Sequence, residues 1–226
     1  TVVYRIGERS IASTHTTPDS IRLNMMMREM VDEGCDYCFM EVSSHSLVQD
    51  RVRGLKFRGA MFTNLTHDHL DYHGTFKEYI RAKKCLFDNL PKSAFALVNI
   101  DDRNGEVMVQ NCRGDIKNYS TRTICDYRAR LLETHLDGML LEFNRIEFTT
   151  HLTGRFNVSN LLLIYGCGVA LGVEPMEVLR ILSGLQPVNG RFETIHSAKG
   201  WTGVIDYAHT PDAIEKVLSS LSGTQK

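Results

Sequence analysis

Short apolar runs that alternate with segments of helical period constrain this chain more than any other feature. Tyr37 to Val42, Ala60 to Thr63 and Ala94 to Ile100 are compact, apolar and bounded by polar or turn residues, the pattern of strands covered on both faces. Between the last two lies Phe76 to Leu90, where Tyr79, Ile80, Leu86 and Phe87 recur at helical spacing. An earlier helix is expected up to Gly34, with Thr17 as N-cap, Pro18 at its first position and an acid in its first turn. Its methionines, with Ile21, Leu23 and Val31, read as a broad inward face of core packing. Strand and helix in alternation define an α/β core, a mostly parallel sheet flanked by helices and joined by right-handed crossovers.

From about residue 116 to 152 the texture changes to scattered Thr, Tyr, Ile and Phe, with a turn at Asp137-Gly138, and antiparallel hairpins are expected. Helices then return from Asn157 to Leu171 and from Pro175 to Ser183, the second with Pro at its first position. Strands are expected from Arg191 to His196 and from Gly203 to Tyr207, a turn at Lys199-Gly200, and a helix from near Pro211.

Composition narrows the function classes. Lys and Arg number 26 against 27 Asp and Glu, a net charge of -1, so no global field favours nucleic acid or an anionic membrane. The apolar stretch Leu161 to Val173 is short of the roughly 20 residues a membrane span needs. The start TVVYRIGERS has neither a basic region nor an apolar core, so no secretory signal is read there and a cytoplasmic protein is expected. The 6 cysteines show no repeated spacing and read as reduced thiols, with the Cys35-Cys38 pair as buried small hydrophobes.

The densest chemical cluster is Thr66-His67-Asp68-His69-Leu70-Asp71-Tyr72-His73, directly after the strand ending at Thr63-Asn64. Ligands of open α/β sheets bind beyond the carboxyl ends of strands, where these His and Asp side chains suit metal or phosphate work. Glu41 closes the preceding run and is followed by Ser43, Ser44 and His45; oxygen donors of this kind suit Mg²⁺ better than zinc. Thr14 to Pro18 precedes a helix and reads equally as an anion site or as ordinary capping. The phosphate-loop pattern G-x-x-x-x-G-K-[ST] is not found, and Gly166-Cys167-Gly168 reads as helix packing.

STHTTPDS, EVSSHSLVQDRV, FTNLTHDHLDYHG, YIRAKKCLF, GRFNVSN, LQPVNGRFE and DYAHTPDA occur in that order. Together they resemble the Mur ligases, and within them the tripeptide-synthetase type, over nearly the whole chain. The resemblance implies an ATP-dependent acid:amino-acid ligase of peptidoglycan biosynthesis. Such an enzyme adds an amino acid to UDP-N-acetylmuramoyl-L-alanyl-D-glutamate through an acyl phosphate. It further implies that Glu41 and His69 ligate Mg²⁺ and that Lys83, carbamylated by CO₂, serves the same metal site. An unmodified ammonium would repel the metal, whereas a carbamate supplies an anionic oxygen.

By the same resemblance Thr16, Thr17, Ser43, Gln49 and Arg51 hold the UDP-muramoyl dipeptide, and Asn64, Asn157, Asn160, Arg191 and Asp206 lie around ATP. Asn157 and Asn160 also read as helix caps. The organisation it implies is a central ATP-binding domain over 1–196, without its phosphate loop and with the β insertion, followed by the start of a Rossmann-like C-terminal domain over 197–226. On this reading the chain is a fragment, inactive alone, of a monomeric parent. Which amino acid is added is left open. A metal-dependent hydrolase built on the His-Asp cluster and a non-catalytic muramoyl-nucleotide binding module are the competing readings; folylpolyglutamate synthetase, a member of the wider family, fits EVSSHSLVQDRV and DYAHTPDA less well.

Overall fold

The computed structural model describes residues 3–13, 15–66, 70–188, 190–209 and 211–222; for Leu70, His196, Asp212 and Ser222 only the backbone is described. In chain order the elements are β1 (Val3–Ile6), β2 (Arg9–Ala12), α1 (Ser20–Asp32), α2 (Ser44–Val48), β3 (Gly59–Phe62), α3 (Leu70–His73), α4 (Phe76–Asp88), β4 (Phe95–Asn99), α5 (Gly105–Val109) and β5 (Asp115–Ser120). They continue with β6 (Tyr127–His135), β7 (Gly138–Phe143), β8 (Ile146–Thr150), α6 (Arg155–Ala170), α7 (Pro175–Ser183), β9 (Glu193–His196), β10 (Thr202–Ile205) and α8 (Pro211–Ser222). Six strands form one sheet in the order β3-β4-β5-β6-β7-β8, while β1-β2 and β9-β10 are separate antiparallel pairs. The α/β class expected from the alternation is the class observed. None of the described helices is long and apolar enough to cross a membrane.

The sheet is mixed. Asp115 N donates to Ala94 O (2.9 Å) and Ile100 N to Tyr119 O (3.1 Å), the same sense along β4 and β5, which makes that pair parallel. β5 also pairs parallel with β6, Tyr119 opposite Tyr127, where hairpins had been expected throughout the segment. Antiparallel pairing begins only at β6-β7 and continues at β7-β8. The reason lies in the connections. His135 pairs with Gly138 across a tight loop and Asn144-Arg145 turn with φ of 47° and 73°, as a two-residue hairpin demands, whereas the longer link from Ser120 to Tyr127 returns the chain in the same direction.

The chain folds as two compact units. The first comprises the segment ending at Ala60, Leu65–Ala96 and Glu106–Asp115; the second comprises Met61–Asn64, Leu97–Gly105 and the segment from Ile116 onward. In the first, α2 and α3 pack on α4, whose Tyr79, Ala82 and Phe87 are buried. Thr75 caps α4 by accepting the Glu78 N–H (3.2 Å). In the second, α6 packs on β6 and α7, with Leu161, Leu162, Leu141 and Phe143 wholly buried. A Cβ on Gly166 would stand 3.0 Å from the Tyr127 ring and one on Gly168 2.9 Å from Val178, so these glycines serve close helix packing. Tyr119, 1% exposed, donates its hydroxyl to the Phe62 carbonyl (3.0 Å), and burial pushes its phenol well above the usual range.

Four local expectations give way to tertiary context. Tyr37 to Val42 is extended but joins no sheet among the described residues, and Tyr37 and Phe39 are 60% and 66% exposed. A strand is completed by a neighbour's backbone groups, which its own apolar residues cannot supply. Cys38 lies in this uncovered run and is exposed, not buried; Cys167 alone of the cysteines is buried. The N-cap of α1 is Asp19, not Thr17: its carboxylate accepts the Ile21 and Arg22 N–H groups at 3.0 and 2.9 Å. The inward face of α1 is correspondingly narrow, with Leu23 and Met26 buried while Ile21, Met25 and Val31 are exposed.

After β4 the chain is clamped by Asp101, which accepts from Ser120 Oγ, Thr121 N (2.7 Å) and Thr121 Oγ1 (2.8 Å). Burial opposes its ionisation, but these bonds and the nearby Arg122 charge outweigh it and hold the carboxyl below its ordinary value of 3.8. A depressed folded-state pKa contributes stability that is complete above the ordinary value and is lost as pH falls through the folded one. Asp101→Asn is therefore expected to lower unfolding free energy by about 1–2 kcal/mol at neutral pH, allowing for partial exposure. The deficit should shrink in acid; urea titrations showing one constant deficit at every pH would exclude this account.

Candidate functional site

The first unit gathers a polar frame around Thr17. This residue is 1% exposed, and its hydroxyl donates to the Glu41 carbonyl (2.8 Å) while accepting the Ser43 N–H (3.4 Å). Arg51 reaches across to donate to the Thr17 carbonyl (2.8 Å) and is steadied by Gln49 Oε1 (2.9 Å). Gln49 in turn donates to the Tyr72 hydroxyl (3.2 Å). Ser43 is the N-cap of α2, its Oγ accepting the Ser46 N–H (3.1 Å). His15, Asp19, Ser20, Gln49 and Arg51 line an open cleft of about 350 Å³ here. Thr17, Ser43, Gln49 and Arg51 are thus bonded into one network, with half-buried Thr16 adjoining it in sequence.

Two of the three expected metal residues are described. Glu41 is exposed at the end of the extended run, and Lys83 is half-buried on α4 with Nζ 5.4 Å from the Tyr79 ring centroid. His69, with His67 and Asp68, lies outside the described residues. Among the described residues no group of three His, Cys, Asp or Glu is gathered as for a metal ion. The donors in hand fit a hard cation only if Lys83 carries a carboxylate: one carboxylate and an ammonium repel as much as they attract.

The second unit holds the five residues expected around a nucleotide. Asn64 is exposed after β3. α6 begins at Gly154, which has φ 86° and no side-chain cap, so neither Asn157 nor Asn160 is an N-cap. Instead Asn157 Nδ2 donates to the Thr153 carbonyl (2.7 Å) and Asn160 Nδ2 to Asn157 Oδ1 (3.2 Å). Asp206 accepts from the Phe192 N–H (2.8 Å) and the Ala208 N–H (2.7 Å), and the Arg191 guanidinium lies 5.4 Å from the Tyr207 ring centroid. Phe192, buried with φ 49°, meets Phe156 of α6 edge to face at 5.7 Å. That contact connects the start of α6 to the segment carrying Arg191 and, through the Phe192 N–H, to Asp206. Phe192 went unnoticed in the sequence, where only its place in the GRFE motif marked it; a bulky residue at positive φ is costly and clusters at functional sites.

A mixed six-stranded sheet flanked by helices defines an α/β protein. The model of the Mur ligase middle domain matches residues 1–168, and that of the Mur ligase glutamate ligase domain matches residues 190–226. The chain belongs to the Mur ligase family. It is 53% identical over 221 residues to UDP-N-acetylmuramoyl-L-alanyl-D-glutamate--2,6-diaminopimelate ligase of Phocaeicola vulgatus, covering 98% of this chain and 46% of that protein. The ligase of the same name from Bacteroides thetaiotaomicron is 52% identical over 223 residues, covering 99% of this chain and 46% of that protein. A solved structure of a ligase with this name is 30% identical, with a TM-score of 0.81 over 96% of this chain and 46% of that one. The MurF ligase of Thermotoga maritima, solved in complex with ADP, shares the fold at a TM-score of 0.66 and 18% identity, over 87% of this chain and 48% of that one. The chain spans about half the length of the relatives it matches.

Proposed function

We propose that this chain is the substrate- and metal-facing part of an ATP-dependent ligase that adds diaminopimelate to UDP-N-acetylmuramoyl-L-alanyl-D-glutamate in peptidoglycan biosynthesis. The observation that carries this reading is the Thr17 frame, which fixes Arg51, Gln49 and Ser43 together with the Glu41 main chain. A guanidinium, an amide and hydroxyls in one cleft suit a substrate bearing phosphates and carboxylates. The names of the relatives supply the substrate and the amino acid.

In the proposed reaction the terminal carboxylate of the muramoyl dipeptide attacks the γ-phosphorus of ATP and ADP leaves. The amine of the incoming amino acid then attacks the acyl carbon, phosphate departs with the C–O bond pair, and the amine proton passes to solvent. Glu41, His69 and a carbamate on Lys83 would hold Mg²⁺, which supplies charge neutralisation for the transferring phosphoryl group. That carbamate forms when the neutral Lys83 amine adds to the carbon of CO₂, one C–O π pair moving to oxygen and a proton to water. Asn64, Asn157, Asn160, Arg191 and Asp206 would border the nucleotide, with Arg191 supplying a cation suited to its phosphates. ATP and UDP-linked substrates place the proposed reaction in the cytoplasm.

A chimera in which this chain replaces the matching segment of the Phocaeicola vulgatus ligase tests the reading. It is expected to release ADP only when the UDP-muramoyl dipeptide and diaminopimelate are both supplied. A chimera that melts cooperatively and binds the UDP-muramoyl dipeptide, yet forms no ADP with both substrates, would overturn it. Cleavage of the substrate without ATP would favour a hydrolase instead.

A further inference from the structure

Ser44, His73 and Tyr79 have no part in the proposed reaction, yet they form a continuous stack that ends at Lys83. Ser44, 1% exposed and next to Ser43 of the Thr17 frame, has its Oγ 2.8 Å from His73 Nε2. The His73 ring stacks on Tyr79 with centroids 5.2 Å apart and planes 27° from parallel. Tyr79 is 4% exposed, and Lys83 Nζ, one helical turn further along α4, lies 5.4 Å from its centroid. The His45 ring flanks His73 at 5.6 Å, and Tyr72 meets His73 edge-on at 5.0 Å.

A lysine has four rotatable side-chain bonds, and an aromatic face close to its ammonium removes much of that freedom. The ring that restrains Lys83 is itself fixed, because it is buried on α4 and backed by a histidine tied to the segment that follows Glu41. The two halves of the proposed metal site, Glu41 on an extended segment and Lys83 on a helix, are therefore mechanically connected through Ser44, His73 and Tyr79. We propose that His73 and Tyr79 are positioning residues that set the location of the Lys83 amine relative to the Glu41 segment. The functional half of this inference rests on Lys83 being the carbamylated lysine; the geometric half does not.

Nuclear magnetic resonance of the full 226-residue chain tests both halves. A lysine beside an aromatic face has ε-methylene protons moved upfield by the ring current, and ¹³C-bicarbonate labels a carbamate directly. Tyr79→Phe keeps the ring and is expected to keep both signals. Tyr79→Leu, His73→Leu and the milder Ser44→Ala are expected to move the Lys83 methylene signal toward that of a free lysine. They should also lower carbamate occupancy at fixed bicarbonate by about threefold to tenfold. Thermal melting identifies any variant that has lost its fold, and Ser44→Ala then carries the comparison.

Equal methylene shifts and equal occupancy in wild type and in folded Ser44→Ala, His73→Leu and Tyr79→Leu would overturn the inference. A wild-type chain with the shifted methylene but no ¹³C adduct would remove the carbamate reading. Loss of that shift in folded Ser44→Ala would, in the same experiment, still support the positioning role.

Discussion

Glu41→Gln in the chimeric ligase is expected to lower kcat/KM by about a hundredfold or more with little change in thermal stability. The rate effect follows from the role proposed for the carboxylate, since removing a preorganised charge that faces a transferring phosphoryl group has effects of roughly 10²–10³-fold. The small stability effect follows from geometry. The hydrogen bond that Thr17 gives to position 41 goes to the main-chain carbonyl, which an amide side chain leaves in place. Steady-state kinetics beside a melting curve separates the two. A fall in rate of less than about threefold would remove Glu41 from the phosphoryl-transfer machinery.

Phe143→Ala is expected to cost about 3–5 kcal/mol in the second unit. Phe143 has no exposed surface and meets Phe148 edge to face at 4.8 Å and Tyr165 at 5.6 Å. It joins β7, β8 and α6, so truncation removes both buried apolar area and aromatic contacts, and rigid neighbours on a sheet and a long helix cannot close the cavity. Ile124, 80% exposed, is the control; its replacement by alanine is expected to change stability by less than about 0.5 kcal/mol. Urea unfolding monitored in the second unit measures both. A Phe143→Ala deficit near that of the Ile124 control would mean that this aromatic cluster does not hold the unit together.

Much of the fold was legible because it is written in local pattern. The helical period from Phe76 to Leu90 became α4, and Glu174-Pro175 starts α7 with a carboxylate accepting the Glu177 N–H (3.1 Å). The apolar run from Ala94 to Ile100 became β4, buried along its whole length. The ordered motifs also identified the family. Much less of the candidate site could be read. Seven motifs named its residues, but not that Thr17, expected as a helix cap, would instead hold the Glu41 main-chain carbonyl with its hydroxyl and receive the Arg51 guanidinium at its own carbonyl.

Residue order by itself determined the α/β class, the starts of α4 and α7 and the tight turn at Asp137-Gly138, because periodicity, capping and turn chemistry act over a few neighbouring residues. Only the tertiary structure decided that Tyr37 to Val42 stands outside the sheet, that β5 and β6 run parallel, and that Ser44, His73 and Tyr79 stack toward Lys83. Strand pairing and ring stacking are made between residues far apart in the chain, so each depends on which distant partner arrives, a choice that no local pattern carries.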